Sequence, residues 1–244
     1  MTWIGIPFSG KCYYPINYST FISLLLHGSM VDKLRADFYL YVLTDHDLSR
    51  GRSNEEVVEE AIAGGADAIQ LRDKGYTAKQ LLQEALKLRD ITRKNGVPFI
   101  INDRVDVALA VDADGVHLGQ DDFPLAWARK LLGEGKIIGI STHNLEEAMQ
   151  AEKDGADYIG IGSVFPTTTK PDARSLAGLE LIADTKRNVS IPVVAIGGIK
   201  EENVAQVAEA GADCIAVISA VVSATDIREA ARNLRERFLV SRGG

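Results

Sequence analysis

The sequence predicts an α/β protein folded as a closed (β/α)8 barrel, the TIM-barrel class, and three observations lead to this prediction. From residue 38 onward, short apolar runs alternate with amphipathic segments, and eight such pairs follow one another. The apolar runs are typical of parallel strands, because such strands are buried on both faces. Eight strand–helix units in a chain of 244 residues fit one barrel. An open doubly wound sheet is the less favoured alternative, because no G-x-G-x-x-G motif follows the first strand.

The chain divides into a dissimilar N-terminal segment and the barrel. Residues 1–36 are rich in Tyr, Ser, Gly and Pro and show neither strand nor helix periodicity. We expect this N-terminal extension to be poorly ordered, or to precede a true start at Met30. The alternative is an extension that packs on the barrel or on a neighbouring subunit. Residues 37–244 form the predicted barrel, with no functional residue expected before it.

Each predicted strand is a run of apolar residues that stops at a polar or glycine-containing segment. The strands are predicted at 38–43, 68–71, 98–101, 115–118, 137–140, 158–162, 193–196 and 212–218. The segments between them carry apolar residues at helical spacing, with capping residues at their ends. The helices are predicted at 54–63, 77–94, 105–110, 123–132, 145–153, 178–186, 201–210 and 226–238.

Local signals support the element ends. Ser53 or Asn54 is predicted to cap the first helix, and Gly96 to end the second. A weak internal repeat, Gly-Ala-Asp, occurs at 65–67, 155–157 and 211–213, each time between a helix end and a strand start. The repeat favours a fold built from equivalent strand–helix units.

Composition and charge exclude several classes of protein. The net charge of −7 argues against a nucleic acid or a membrane surface as partner. The longest candidate membrane segment, residues 21–26, is too short to cross a bilayer. Cys12 and Cys214 show neither metal-ligand spacing nor a disulfide framework, which favours a reducing cytoplasmic location. The expected partners are therefore small molecules.

Polar residues follow seven consecutive predicted strands, from the second to the eighth. Ligands of a (β/α)8 barrel bind at these C-terminal strand ends, so we expect the polar residues to meet at one mouth. In chain order they are Gln70, Arg72, Asp73, Lys74, Asn102, Asp103, Arg104, His117, Gln120, Asp121, Asp122, Ser141, Thr142, His143, Thr167, Thr168, Thr169, Lys170, Gly197, Gly198, Ile218 and Ser219.

Each of these residues taken singly also has a purely structural interpretation. Arg72 and Asp73 could form an ion pair at the rim of the barrel. Asp103 and Asp122 could be helix N-caps. His117 lies inside a strand and could be a hydrogen-bonded barrel histidine, while Gly197-Gly198 could be a tight turn. The coincidence of polar residues at so many strand ends favours a ligand site.

The residue types indicate two anion sites in that mouth. Asp103 and Asp122 follow adjacent strands and could hold one hard cation such as Mg²⁺. Arg72, Lys74 and Lys170 could hold a diphosphate beside it. Backbone amides after the last two strands form the usual phosphate site of such barrels. This arrangement suits a transfer in which diphosphate leaves, and no residue is placed as an obvious covalent nucleophile.

As an ordered set, these motifs closely resemble the thiamine-phosphate synthase family over residues 38 to the C-terminus. The motifs are Gln70-Leu71-Arg72-Asp73-Lys74, Ile101-Asn102-Asp103-Arg104, His117-Leu118-Gly119-Gln120-Asp121-Asp122, Gly139-Ile140-Ser141-Thr142-His143, Val164 through Lys170, and Ala195-Ile196-Gly197-Gly198-Ile199. The resemblance implies a Mg²⁺-dependent transferase that joins a hydroxymethylpyrimidine diphosphate to a hydroxyethylthiazole phosphate by dissociative displacement.

The resemblance also implies a role for each matching residue. Asp103 and Asp122 would bind Mg²⁺, and Gln70 would contact the pyrimidine. The diphosphate would be bound, and its departure assisted, by cations and by polar groups beside it: Arg72, Lys74, Asn102, Ser141 and Lys170. The thiazole phosphate would be held by the hydroxyls and amides of Thr167, Thr169, Gly197, Gly198, Ile218 and Ser219.

Two alternatives to the synthase stay open at this point. One is a thiazole tautomerase of the same fold, in which His143 would be the acid–base group. That alternative leaves Asp103, Asp122, Arg72 and Lys74 unexplained. The other is a non-catalytic sensor of a phosphorylated ligand, which would bind without turnover. The sequence leaves open whether the chain forms a homo-oligomer.

Overall fold

The computed structural model describes residues 38–167 and 177–243, which form a closed barrel of eight parallel strands. Each strand pairs in parallel with the next along the chain, and the eighth pairs with the first. The predicted (β/α)8 class is therefore confirmed. The predicted N-terminal extension, residues 1–36, lies outside the described residues.

The strands are short and the helices between them are amphipathic. Strands β1 to β8 span Leu40–Leu43, Ala68–Leu71, Phe99–Asn102, Gly115–Leu118, Ile137–Thr142, Tyr158–Ile161, Val193–Ile196 and Cys214–Val217. In the described part of the chain, helices α1 to α9 span Asn54–Ala63, Ala78–Asn95, Val105–Ala110, Leu125–Leu132, Leu145–Lys153, Gly178–Asn188, Val204–Glu209, Ser219–Val222 and Ile227–Arg242. None of these helices is long and apolar enough to cross a membrane.

Side chains alternate between the barrel interior and the layer under the helices, as the two-residue period of a strand requires. The interior cluster fills the N-terminal part of the barrel, and its members are Phe38, Tyr41, Leu43, Ala68, Ile100, Ile137, Tyr158, Val194, Cys214 and Ala216. The larger cluster packs the outer strand faces against the helices. Because the interior is filled below, a ligand cavity is expected at the opposite end, where the strands finish.

Four aspartates tie the barrel together at the strand starts of the described chain: Asp67, Asp114, Asp157 and Asp213. Each accepts a backbone N–H bond of 2.8–2.9 Å from the preceding strand. Each also pairs with a basic side chain, respectively Arg235, Arg89, Arg129 and Lys186. The Gly-Ala-Asp repeat seen in the sequence therefore marks a recurrent contact between consecutive strands.

The fourth copy of this repeat reads Asp112-Ala113-Asp114, so its first position is not a glycine. Asp112 has a φ of 51°, in the same left-handed region as Gly65 at 99° and Gly155 at 92°. Aspartate tolerates this conformation better than most residues. The Asp112 carboxylate also binds Lys136 at 2.5 Å.

Several predicted boundaries shift by a few residues. The N-cap of α1 is Ser53, with a full capping box to Glu56, and Gly96 ends α2 in the left-handed conformation, as predicted. Helix α4 begins at Leu125 rather than residue 123, because Pro124 occupies the N-cap. Helix α7 begins at Val204 rather than residue 201, because the side chain of Asn203 accepts the Lys200 N–H and shapes a turn there.

Candidate active site

The C-terminal ends of the strands enclose a cavity of about 750 Å³. The described residues to which the resemblance gives a role toward a ligand all line it: Gln70, Arg72, Lys74, Asn102, Asp103, Asp122, Ser141, Thr167, Gly197, Gly198, Ile218 and Ser219. Two other polar residues of the strand ends, Asp73 and Arg104, do not line it. Thr169 and Lys170 lie outside the described residues. Barrel closure therefore brings together side chains that are far apart in the sequence. Their roles toward a ligand stay predictions.

Arg72 is held as a buried cation at the end of β2. Its guanidinium contacts the carboxylate of Asp45 at 3.3 Å, and its backbone N–H donates to the hydroxyl of Thr44. The residue is only 7% exposed, so its charge lies in a partly desolvated wall of the cavity. The interpretation that Arg72 and Asp73 form an ion pair at the rim is wrong, because Asp73 accepts from the backbone N–H groups of His46 and Gly75 instead.

Asp103 and Asp122 meet although they follow different strands. Burial raises the pKa of Asp103 to about 6, and the hydrogen bond and charge repulsion from Asp122 add to that effect. The charge of Lys74 acts in the opposite direction. Two carboxylates held together beside a lysine form an oxygen-rich pair whose mutual repulsion a cation would relieve.

The N-cap interpretations of these two aspartates are wrong. Asp122 accepts from the Gly119 N–H at 2.7 Å, while the N-cap of α4 is Pro124. Helix α3 has Arg104 as its N-cap, with no side-chain capping bond. Asp103 itself has a φ of 61°. Neither carboxylate is occupied with a helix end, so both are left for the cavity that they line.

The opposite wall of the cavity is formed by backbone at the ends of β6, β7 and β8. Gly197 and Gly198 have φ angles of 103° and 67°. A Cβ on Gly198 would lie 2.7 Å from the carbonyl oxygen of Pro166, so the loops approach too closely for a side chain. The interpretation as a tight turn is therefore correct as geometry, and the same turn lines the cavity beside Thr167.

A buried chain of hydrogen bonds crosses the floor of the cavity, and sequence reasoning found only part of it. Gln70 Nε2 donates to the Tyr41 hydroxyl at 2.6 Å, and the Tyr41 and Tyr158 hydroxyls are 3.2 Å apart. Tyr158 meets His117 Nδ1 at 2.8 Å, and His117 Nε2 meets the Ser141 hydroxyl at 2.8 Å. The interpretation of His117 as a hydrogen-bonded barrel histidine is therefore confirmed.

Tyr41 and Tyr158 were not singled out from the sequence as site residues. One signal could have pointed to them. Gly139 and Gly160 interrupt β5 and β6, and an isolated glycine in a strand often marks a close approach by another group. A Cβ on Gly139 would lie 2.0 Å from the Tyr158 ring, and one on Gly160 would lie 3.1 Å from His117.

His143 lies at the mouth, next to the start of α5. Its Nδ1 contacts a carboxylate oxygen of Glu147 at 3.0 Å, and the same oxygen accepts the His143 backbone N–H. Asn144 is the N-cap of the helix. His143 therefore lies directly before this helix, and it also lines the cavity.

The fold and the cavity together are those of a (β/α)8-barrel enzyme. Residues 40–221 match the model of the family described as thiamine monophosphate synthase. Over 199 residues the chain is 60% identical to a thiamine-phosphate synthase from Chloroflexus aurantiacus, covering 82% of this chain and 92% of that protein. It is 56% identical to a thiamine-phosphate synthase from Methanocella arvoryzae, covering 80% and 92%.

A solved structure agrees with these relatives. The thiamine phosphate pyrophosphorylase from Pyrococcus furiosus superposes with a TM-score of 0.78 at 48% identity, covering 85% of this chain and 98% of that one. The chain therefore belongs to the thiamine monophosphate synthase family, and it is a transferase. The resemblance stated from the sequence motifs is thereby confirmed.

Proposed function

We propose that the chain is a thiamine-phosphate synthase. It joins 4-amino-2-methyl-5-hydroxymethylpyrimidine diphosphate to 4-methyl-5-(2-hydroxyethyl)thiazole phosphate and releases diphosphate. Membership of the family supports this proposal. The observation that carries it is that one cavity is lined by two carboxylates, two cations and, across from them, the glycine turn: Asp103, Asp122, Arg72, Lys74, Gly197 and Gly198.

Mg²⁺ is the cofactor that we propose for this cavity, and the donor set fits it. In the described part of the chain, no group of three or more His, Cys, Asp or Glu side chains is placed so that it could hold a metal ion. The site instead offers the Asp103 and Asp122 pair. Mg²⁺ is usually bound by one or two carboxylates, with substrate phosphates and water completing its shell. When bound there, it would neutralise charge on the diphosphate.

The proposed reaction breaks the bond between the pyrimidine methylene carbon and the diphosphate oxygen, and the electron pair leaves with the diphosphate. The thiazole nitrogen then donates its lone pair to the methylene carbon and forms the new C–N bond. No protein nucleophile is needed for these steps. Catalysis therefore consists of placing the two substrates and stabilising the leaving group.

The residues divide between these two tasks. Arg72 and Lys74 bind the diphosphate oxygens with charge-assisted hydrogen bonds, and Asn102 and Ser141 lie beside them as uncharged donors. Lys170 is proposed for the same task and lies outside the described residues. Gln70 contacts the pyrimidine ring. The thiazole phosphate is bound across the cavity by the Thr167 and Thr169 hydroxyls and by amides of Gly197, Gly198, Ile218 and Ser219.

The substrates in this proposal are small molecules, with neither a nucleic acid nor a membrane as partner. A cytoplasmic location and a homo-oligomeric state also remain predictions. Cys214 is a buried free thiol, and Cys12 lies outside the described residues.

A coupled assay for diphosphate release tests the proposal. The purified chain is supplied with both precursors, with each one alone, and with and without Mg²⁺. We expect release only when both precursors and Mg²⁺ are present. Folded protein that releases no diphosphate would overturn the proposal and direct attention to the tautomerase. The assay for that alternative is isomerisation of a thiazole carboxylate phosphate, with His143→Asn as the diagnostic variant.

A further inference from the structure

The hydrogen-bond chain on the cavity floor links five residues from five strands. In order it runs through Gln70, Tyr41, Tyr158, His117 and Ser141. Tyr41 and Tyr158 are 1% and 0% exposed, and Gln70 is 1% exposed. Both ends of the chain, Gln70 and Ser141, line the cavity. Tyr41 and the partly exposed His117 also line the cavity, so a ligand can touch both ends of the chain while Tyr158 in its middle stays out of water.

The number of protons available restricts how this chain can be arranged. Burial raises the pKa of both tyrosines well above the ordinary value, so each phenol keeps its proton. Each hydroxyl then has one proton to donate and accepts with its lone pairs. A neutral imidazole likewise has one N–H and one acceptor nitrogen. A chain of such groups donates along its length in one sense or in the other.

The two senses differ in what they present to the cavity. If donation runs from Gln70 to Ser141, the Gln70 amide donates to Tyr41, and His117 donates from Nε2 to Ser141. The Ser141 proton is then left to point into the cavity. If donation runs the other way, the Ser141 hydroxyl donates its proton to His117 Nε2 and presents only lone pairs to the cavity.

Two observations select the first sense. Gln70 has its Nε2 toward Tyr41, and its buried Oε1 has no protein partner among the described residues. This acceptor is buried in a residue that lines the cavity, and a ligand N–H that reaches it would satisfy it. At the other end, Arg72 and Lys74 line the same cavity as Ser141. An anion attracted by these cations needs a donor from Ser141, because lone pairs would repel it.

We propose that the chain is polarised from Gln70 to Ser141, so that His117 is held as the Nε2–H tautomer and the Ser141 hydroxyl is aimed as a donor at an anionic group in the cavity. Tyr41, Tyr158 and His117 are then positioning residues that act through Ser141. The inference rests on the proposed function only for the identity of the anion, a diphosphate. Contact of a ligand N–H with Gln70 and of the anion with Ser141 favour each other, because hydrogen bonds in a chain polarise one another.

The packing around the chain is consistent with this role. Glycines stand where β5 and β6 face the two rings, and a Cβ at either position would press on Tyr158 or His117. The two rings stack with centroids 5.4 Å apart. The Ser141 carbonyl accepts from Gln120 Nε2 at 2.7 Å, which holds the backbone of the serine in place.

The first experiment reads the tautomer directly and needs no activity. The full-length, metal-free protein is labelled with ¹⁵N-histidine and studied by NMR at mildly alkaline pH. The sequence has only four histidines, and a His117→Asn variant assigns the His117 signals. We expect Nε2 to carry the proton and Nδ1 to be unprotonated. The opposite tautomer would overturn the inference.

Tyr158→Phe tests whether the phenol fixes that tautomer. The change keeps the ring and removes only the hydroxyl that donates to Nδ1. We expect the His117 signals to move to a mixture of the two tautomers. An unchanged Nε2–H tautomer in this variant would contradict a role for the chain. Tyr39→Phe, at the other end of the barrel, is the matched control and is expected to leave the His117 signals unchanged.

A double-mutant cycle tests whether the chain acts through Ser141. The probe is inorganic diphosphate with Mg²⁺, and its Kd is measured by calorimetry. We expect Ser141→Ala to weaken binding about tenfold or more, and Tyr158→Phe by about three- to tenfold. The double variant should bind no more weakly than Ser141→Ala alone. Fully additive losses would overturn the inference.

These outcomes are separable from those of the proposed function. An inactive wild-type protein with the Nε2–H tautomer and a non-additive cycle would contradict the proposed reaction and leave the polarised chain standing. An active synthase with the Nδ1–H tautomer would do the reverse.

Discussion

At the residue scale, the cavity depends on side chains whose chemistry the sequence predicted and whose contacts it did not. Asp103 and Asp122 were recognised as a carboxylate pair, and they do meet. The partner of Arg72 was not found, because Asp45 follows another strand. The tyrosines of the cavity floor were missed for the same reason. A sequence pattern predicts which face of its strand a residue lies on, but the register between strands decides which side chains touch.

Removing either carboxylate should cripple the enzyme and leave the fold intact. We expect Asp103→Ala and Asp122→Ala each to lower kcat/KM by at least about 100-fold, because charge neutralisation at the leaving group contributes several kcal/mol. The dependence of the remaining rate on Mg²⁺ should weaken as well. Steady-state kinetics over a Mg²⁺ series, with circular dichroism as the folding control, measures both. Full activity of either variant at limiting Mg²⁺ would refute the metal assignment.

The raised pKa of Asp103 has a consequence for the stability of the metal-free protein. Folding raises this pKa to about 6, so the charged form is disfavoured in the folded state and its cost is fully present above pH 6. Asp103→Asn removes that cost. We expect it to raise the free energy of unfolding by about 1 kcal/mol above pH 6, after solvent screening reduces the full linkage value.

The gain should fade as the pH falls from about 6 toward the ordinary pKa of aspartate, because the wild-type carboxyl then becomes neutral too. Urea unfolding with a metal chelator, repeated across this pH range, measures the difference. Asp47→Asn, at an exposed carboxylate, is the control and should change little. An Asp103→Asn variant that is less stable than wild type above pH 6 would contradict the account.

The glycine turn gives a prediction about one substrate only. A Cβ on Gly198 would clash with Pro166 and Phe165, and its φ of 67° strains any other residue. We expect Gly198→Ala to raise KM for the thiazole phosphate about tenfold and to leave KM for the pyrimidine diphosphate nearly unchanged. The control is Gly133→Ala, which has a φ of 83° and no atom within 4 Å of the added Cβ. Equal changes in both KM values would show that the two phosphate sites are not separate.

At the element scale, the order and type of the helices and strands followed from the periodicity of the sequence. The aspartates at the strand starts connect consecutive strands by hydrogen bonds to backbone N–H groups. The Gly-Ala-Asp motif predicted equivalent units at three places. Its fourth copy was hidden, because Asp112 replaces the glycine while adopting a similar backbone conformation. The start of α4 was predicted too early because aspartate is a common N-cap residue, and Asp122 was therefore taken to precede the helix. Its carboxylate instead accepts the Gly119 N–H. Competing partners of this kind are not visible in a local pattern.

Breaking one of these contacts should be costly where the pair is buried. Asp114 binds Arg89 at 2.7 Å and also accepts the Phe99 N–H. Asp114→Ala would leave a buried guanidinium unpaired, and we expect a loss of about 3–5 kcal/mol in the free energy of unfolding. Glu60→Ala breaks the exposed pair with Arg228 and should cost less than about 1 kcal/mol. Urea unfolding of both variants gives the comparison, and similar losses in the two would argue against burial as the cause.

At the scale of the whole molecule, barrel closure is what turns scattered polar residues into one site. Residues from Tyr41 to Ala220, at or near the strand ends, line a single cavity. This much was predictable, because eight strand–helix units specify the barrel and the barrel specifies which ends meet. The shape of the cavity floor was not, because it depends on how rings and glycines of neighbouring strands fit together.

We propose that this cavity joins two phosphorylated precursors. The most direct measurement is the stoichiometry of a single reaction, with thiamine phosphate quantified by mass spectrometry and diphosphate by a coupled assay in the same sample. We expect equal amounts of the two products, formed only when both precursors are present. Diphosphate released from the pyrimidine precursor alone, without thiamine phosphate, would contradict the proposal.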